Sequence, residues 1–142
     1  LIDENDNPGT TLYLDAIFSE TYRILELTSW IWPAHVDGLP DKYNDYIDLG
    51  AGEMAKQIAW IKVLMAPKFK SIKGSLIMKR IDQELEERIF KPYINRKFWW
   101  DGISSSNVNN WNIWINANIL KSALLTIQNR EFFNEILDHS LI

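Results

Sequence analysis

A chain of 142 residues, 46% apolar and 24% charged, is long enough to bury one core. A net charge of −4 and a pI of about 5.1 argue against a basic surface for non-specific nucleic-acid binding. No uncharged apolar run of about 18 residues occurs, so no transmembrane helix is predicted, and with no cysteine the redox compartment cannot be read from disulfides. Residues 1–10 are a polar lead-in with a Pro8-Gly9 turn. Residues 11–27 are predicted to be helical, because Leu14, Ile17, Phe18, Tyr22, Ile24 and Leu25 fall near helical spacing behind the capping candidates Thr10 and Thr11. Residues 29–46 carry Pro33, Gly38 and Pro40 with Trp30, Trp32 and His35, the composition of a long aromatic loop, and such loops are more often functional than filler.

A second helix is predicted over 48–65, with Asp48 as N-cap, Pro67 beyond its end and Glu53 a rare charge on it. It is apolar nearly all round, which predicts a central position. Residues 68–74 read as a basic connector. The third helix, 75–93, is amphipathic: Ile77, Ile81, Leu85 and Ile89 step by four. The pairs Arg80–Glu84, Glu84–Arg88 and Glu87–Lys91 read as a solvated charged face, ended or kinked by Pro92. An aromatic loop follows over 95–107, then a fourth helix over 109–128 and a fifth over 130–139. The fifth has one apolar face of Phe132, Phe133, Ile136 and Leu137. With Leu124 it is expected to be open to a partner, so self-association is expected. The chain starts at Leu1 without a signal-peptide pattern and ends on Ser140-Leu141-Ile142, and both ends read as those of a mature or excised piece of something longer.

No strand pattern, metal-ligand spacing, phosphate-binding glycine loop or nucleophile elbow occurs, so no metal and no cofactor are predicted. Two histidines, His35 and His139, do not argue a metal site. The fold class predicted is all-α, one segment of stacked helical hairpins in which an apolar helix alternates with an amphipathic one, as between the inner and outer layers of a helical toroid or solenoid.

The most informative stretch is 99–118. Four of the seven tryptophans and six asparagines lie in it. Asn109, Asn112 and Asn116 share a helical face within about 60°. Buried amides must be hydrogen-bonded, so that face meets a polar network or a ligand. Large rings beside fixed amides are also the equipment of a sugar site, because rings stack on sugar faces while amides bond hydroxyls and carboxylates. The structural alternative is N-capping by Asn109 or Asn110 with tryptophan as core filler.

Three blocks then suggest a family. Trp32-Pro33-Ala34-His35 followed by Leu39-Pro40-Asp41, Ile47-Asp48-Leu49 with Ala51-Gly52-Glu53, and Arg88-Ile89-Phe90-Lys91-Pro92-Tyr93-Ile94 running through Trp99-Trp100 to Asn109-Asn110-Trp111-Asn112 resemble the helical domain of heparinase II/III-like proteins, especially the Bacteroides-type branch, over residues 20–127. The third block is the most specific. The resemblance implies part of an incomplete (α/α) toroid, with the family's following β-sandwich domain absent from 1–142. It implies a secreted or periplasmic polysaccharide lyase that cleaves uronic-acid-containing glycans by β-elimination, with an acidic polysaccharide as partner. Such chemistry neutralises the uronate carboxylate, removes the C5 proton and protonates the leaving oxygen.

Matched by position, Asn110 is the catalytic candidate for carboxylate neutralisation, with Asn109 and Asn112 as register alternatives. Trp111 stands where many such lyases carry His, a departure that bears on substrate or on catalysis. The family's Tyr and second His fall beyond Ile142, so residues 1–142 alone are expected to be inactive. His35 is a candidate for sugar contact or for a backbone-bonded loop histidine. Glu53 is a candidate hydroxyl ligand or a paired structural carboxylate, and Trp99 and Trp100 are a candidate sugar platform of which at least one belongs to the core. The alternative function is a non-catalytic carbohydrate-binding or structural helical domain.

Overall fold

The computed structural model describes residues 8–37, 41, 46–102 and 109–141. Of the expected lead-in over 1–10, residues 1–7 lie outside the described residues, and 8–10 form no turn but open the first helix, with Pro8 at its start, where a missing N–H costs nothing; the loop expectations at 38–40, 42–45 and 103–108 also lie outside the described residues. Six α-helices make up the described chain, and no strand occurs among the described residues: α1 Pro8–Leu25, α2 Leu49–Met65, α3 Ile72–Leu85, α4 Lys91–Asn95, α5 Asn110–Thr126 and α6 Arg130–Ser140. A 3-10 turn spans Pro33–His35 and a π turn spans Glu86–Phe90.

α2 and α5 start where their caps dictate. Asp48 accepts from Ala51 N–H, and Asn109 accepts from Trp111 N–H and Asn112 N–H, satisfying donors that a helix start leaves unpaired. The two helices form the most extensive packing pair in the chain. Gly52 lies beside Ile115 and Asn118, and Glu53 bonds Trp114. The Asp48–His35 pair touches Trp111. The register therefore runs forward in both helices, and the two capped N-termini share one end. Between them the chain returns through α3, the π turn and α4. Lys62 of α2 pairs with Asp82, and the Trp100 indole donates to the Ile47 carbonyl at 2.8 Å, back at the starting end. This is hairpin packing around the fully buried Ile47, Ile58, Ile81, Leu85, Ile89, Ile115 and Ile119.

The rod of 72–95 corrects three expectations. It begins at Ile72, capped by Ser71 through Gly74 N–H, rather than after a longer connector. Pro92 does not end it. A proline lacks an N–H, and its ring crowds the carbonyl four residues back. Here the chain widens into the π turn before Pro92, with Lys91 N–H bonded to the Glu86 carbonyl, and helical bonding resumes through Asn95. The same spacing pairs Lys91 with Glu86 at 2.7 Å instead of Glu87.

Nor is the charged run simply a solvated face. Glu84 is fully buried and takes ion pairs from Arg80 at 2.8 Å and Arg88 at 2.5 Å. Arg88 is buried as well. It donates to the Leu27 carbonyl at 2.8 Å and the Leu25 carbonyl at 3.4 Å, and its guanidinium lies 5.0 Å from the Trp30 ring centroid. The trio clamps the end of α1 to α3.

The fifth predicted helix, α6, does not present its apolar face outward. Ile136 is fully buried, Phe132 meets Phe90 edge-on at 6.3 Å, and Phe133 and Leu137 are half-buried against the same chain. The face is spent on α4 and α5, while Leu124 stays exposed.

Candidate functional site

The shared N-terminal end of α2 and α5 gathers most of the predicted residues. Its anchor is Asp48, with no exposed surface. Oδ1 accepts from Ala51 N–H at 2.7 Å, while Oδ2 accepts from Trp32 N–H at 3.0 Å and from His35 Nδ1 at 2.7 Å. One carboxylate thus starts a helix and fixes the 3-10 turn over it, whose backbone closes through His35 N–H to the Trp32 carbonyl at 2.9 Å.

The consequence is a wall of rings. His35 stacks on Trp32 with centroids 5.4 Å apart and 30° between planes, and it tilts against Trp111 at 4.8 Å. Trp111 meets Trp99 at 5.0 Å, and the Trp99 indole donates to the Tyr46 hydroxyl at 2.8 Å. Trp32 is 52% and Trp99 53% exposed, while His35 and Trp111 between them are half-buried. Gly50 is required beneath the wall: a Cβ there would fall 2.4 Å from Trp32 Nε1. The Tyr46 phenol is held above its usual range, by burial first and by the nearby Asp48 second, against the opposing Trp99 hydrogen bond. It is a neutral hydroxyl at pH 7.

Each predicted residue has a definite place. Asn110 sits exposed in the first turn of α5. Asn109 is the helix cap, so its side-chain oxygen is committed to backbone. Asn112 is half-buried and faces Gly102, where a Cβ would come within 3.0 Å of its Nδ2; Gly102 also has φ +77, a left-handed conformation that favours glycine. Trp99, Trp111 and His35 belong to the wall. Glu53 is half-buried and accepts from the Trp114 indole at 2.9 Å, one turn along from the wall. Of the pair Trp99–Trp100, Trp100 is the core member and not part of a platform: it is fully buried, stacked on Phe98 at 4.8 Å and bonded to the Ile47 carbonyl.

The amide face of α5 divides by depth. Beyond Asn109 and Asn112, Asn116 accepts a 2.7 Å hydrogen bond from the Tyr93 hydroxyl in the interior, so there it meets a polar network. Burial, with the Asp101 charge adding to it, pushes the Tyr93 phenol well above its usual range, which makes it a donor rather than a base. His139 packs edge-on against Tyr93 at 4.7 Å.

Sequence reasoning did not single out Trp32, Tyr46, Asp48 or Trp114 as parts of the site. Trp32 was visible as an aromatic in a proline-rich loop. The partnerships of Asp48 with His35 and of Tyr46 with Trp99 cross 13 and 53 positions and have no local signature. Among the described residues no group of three or more His, Cys, Asp or Glu side chains is arranged to hold a metal ion. No family model matches the chain, and no curated protein matches it.

Proposed function

We propose that the chain is part of a polysaccharide lyase of heparinase II/III-like character, whose helical hairpins belong to an incomplete (α/α) toroid. A uronate-containing glycan lies along the ring wall at the shared end of α2 and α5. The single observation that carries this reading is the continuous run Trp32–His35–Trp111–Trp99, half open to solvent and set beside the first turn of α5. Exposed indoles stack on sugar faces, and an array of them tracks a chain of rings better than a compact ligand. Asn110 supplies a neutral amide in the same first turn, where helix N–H groups and their dipole favour an anion. An amide that donates to the carboxylate stabilises the charge that grows on it as C5 loses its proton. Acidic polysaccharide as substrate and a secreted or periplasmic setting go with this reading.

Its test uses the full-length protein. Incubation with glycosaminoglycans and with alginate is followed by the ultraviolet absorbance of the unsaturated uronide that elimination creates. Appearance of that product supports the reading. Retention of glycan without product replaces it with a non-catalytic carbohydrate-binding domain, and failure to retain any glycan removes the sugar role.

A further inference from the structure

The pairing of His35 with Asp48 does more than secure a loop. Asp48 collects three donors on two oxygens, two of them backbone N–H groups that nothing can reverse. With two donors fixed on the carboxylate, the hydrogen-bond network assigns the proton shared with His35 to Nδ1 of the imidazole. In the neutral ring that leaves the Nε2 lone pair free for chemistry. The bonded carboxylate is fully buried while the His35 side chain is 22% exposed, between two rings of the open wall. Of the other titratable groups nearby, the Tyr46 phenol is held up, Glu53 is engaged by Trp114, and Asp101 is buried and accepts from Phe98 N–H.

We propose that His35 is a proton-transfer residue of this site, beside the Tyr and second His that the resemblance puts beyond Ile142, and that Asp48 is the residue that positions it. This deepens the lyase reading and rests on it. His35 Nε2 takes the C5 proton of the bound uronate while the Asn110 amide holds the carboxylate. The C5–H electron pair becomes the second bond between C4 and C5, and the C4–O bond breaks with its pair going to the bridging oxygen. That oxygen takes the proton back from the imidazolium. The ring is neutral again at the end, and no further reactant is consumed.

The experiment compares His35→Asn, His35→Ala and Asp48→Asn in the full-length protein on a glycan that the wild type cleaves. The asparagine amide N takes the place of Nδ1 and still donates to Asp48, so the turn stays fastened while the base is gone. A positioned base contributes about 10²- to 10⁴-fold, so kcat of His35→Asn should fall by that factor, whatever the loss of one wall ring does to KM. His35→Ala opens a slot between the Trp32 and Trp111 rings, and added imidazole should restore part of its kcat. Asp48→Asn keeps a helix cap but presents an amide N–H or a neutral oxygen to Nδ1; its kcat should fall without rescue by imidazole. Wild-type kcat in His35→Asn, whatever its KM, overturns the assignment of His35 and leaves the lyase reading standing. A wild-type protein that binds glycan but forms no unsaturated product overturns the lyase reading and the assignment together.

Discussion

Replacing Glu84 with alanine tests the energetics of the interior most sharply. Glu84 is fully buried between Arg80 and Arg88, and Arg88 is itself buried against Trp30 and the carbonyls that end α1. Removing the carboxylate leaves the Arg88 cation in a low-dielectric site with only neutral acceptors. Breaking a buried pair on one side costs about 3–5 kcal/mol. Unfolding entropy for a chain of this length is about 0.3 kcal/mol/K, so Tm should fall by about 10–17 °C. Arg80 is partly open to solvent, and Arg80→Ala should cost only about 1 kcal/mol. The double replacement Glu84→Met with Arg88→Met removes both charges and should recover most of the loss, because an apolar pair of similar volume often matches a buried ion pair. Thermal and urea unfolding followed by circular dichroism measure all three. A Glu84→Ala cost under about 1 kcal/mol, or a double variant as unstable as the single, would refute the reasoning.

Four further outcomes are expected. Asn110→Ala in the full-length protein should lower kcat by about 10²- to 10³-fold with little change in glycan binding, read by steady-state kinetics. Gly50→Ala should weaken glycan retention on an affinity gel while leaving Tm nearly unchanged, because the new methyl displaces the exposed Trp32 indole and the helix gains about 1 kcal/mol of propensity. Burial lowers the pKa of His139, with Asp101 opposing the shift in part, so below about pH 6.5 the unfolded chain takes a proton that the folded chain resists. Stability should therefore fall as pH drops from 7.5 to 5, and His139→Gln should flatten that slope in urea titrations. We also expect concentration-dependent association of residues 1–142 in light scattering, through the exposed Leu64, Ile113, Trp114 and Leu124 and the apolar groove between α1 and α2; a species that stays monomeric at every concentration refutes it.

What could be read in advance was local. Asp48 and Asn109 announce the starts of α2 and α5 because a cap acts within three residues, and the all-round apolar composition of α2 signals a central helix whatever surrounds it. What could not be read depended on distant chain. Trp99 and Trp100 are neighbours of one type, yet the Trp100 indole goes inward to the Ile47 carbonyl and the exposed Trp99 indole meets the Tyr46 hydroxyl, both partners more than fifty residues earlier. Charge periodicity on α3 gives the Arg80–Glu84–Arg88 spacing but not the α1 carbonyls that enclose it. The apolar face of α6 was legible as apolar; that α4 and α5 cover it was not. For Asp48, the cap function is written in sequence, and the grip on His35 belongs to the folded turn.

The π turn ahead of Pro92 is equivalent to one residue inserted into an otherwise regular rod. Each residue of an α-helix advances the azimuth by about 100°, so the insertion offsets everything downstream by about that angle. Upstream, Ile77, Ile81 and Leu85 point into the core. Downstream, Tyr93 points at Asn116 and His139. A single rod thereby serves two directions without a loop. Deleting one residue from 86–90 would restore a uniform helix and swing Tyr93 away from both partners, so the length of this segment is constrained more tightly than its composition, and the frame of the rod is itself part of the design.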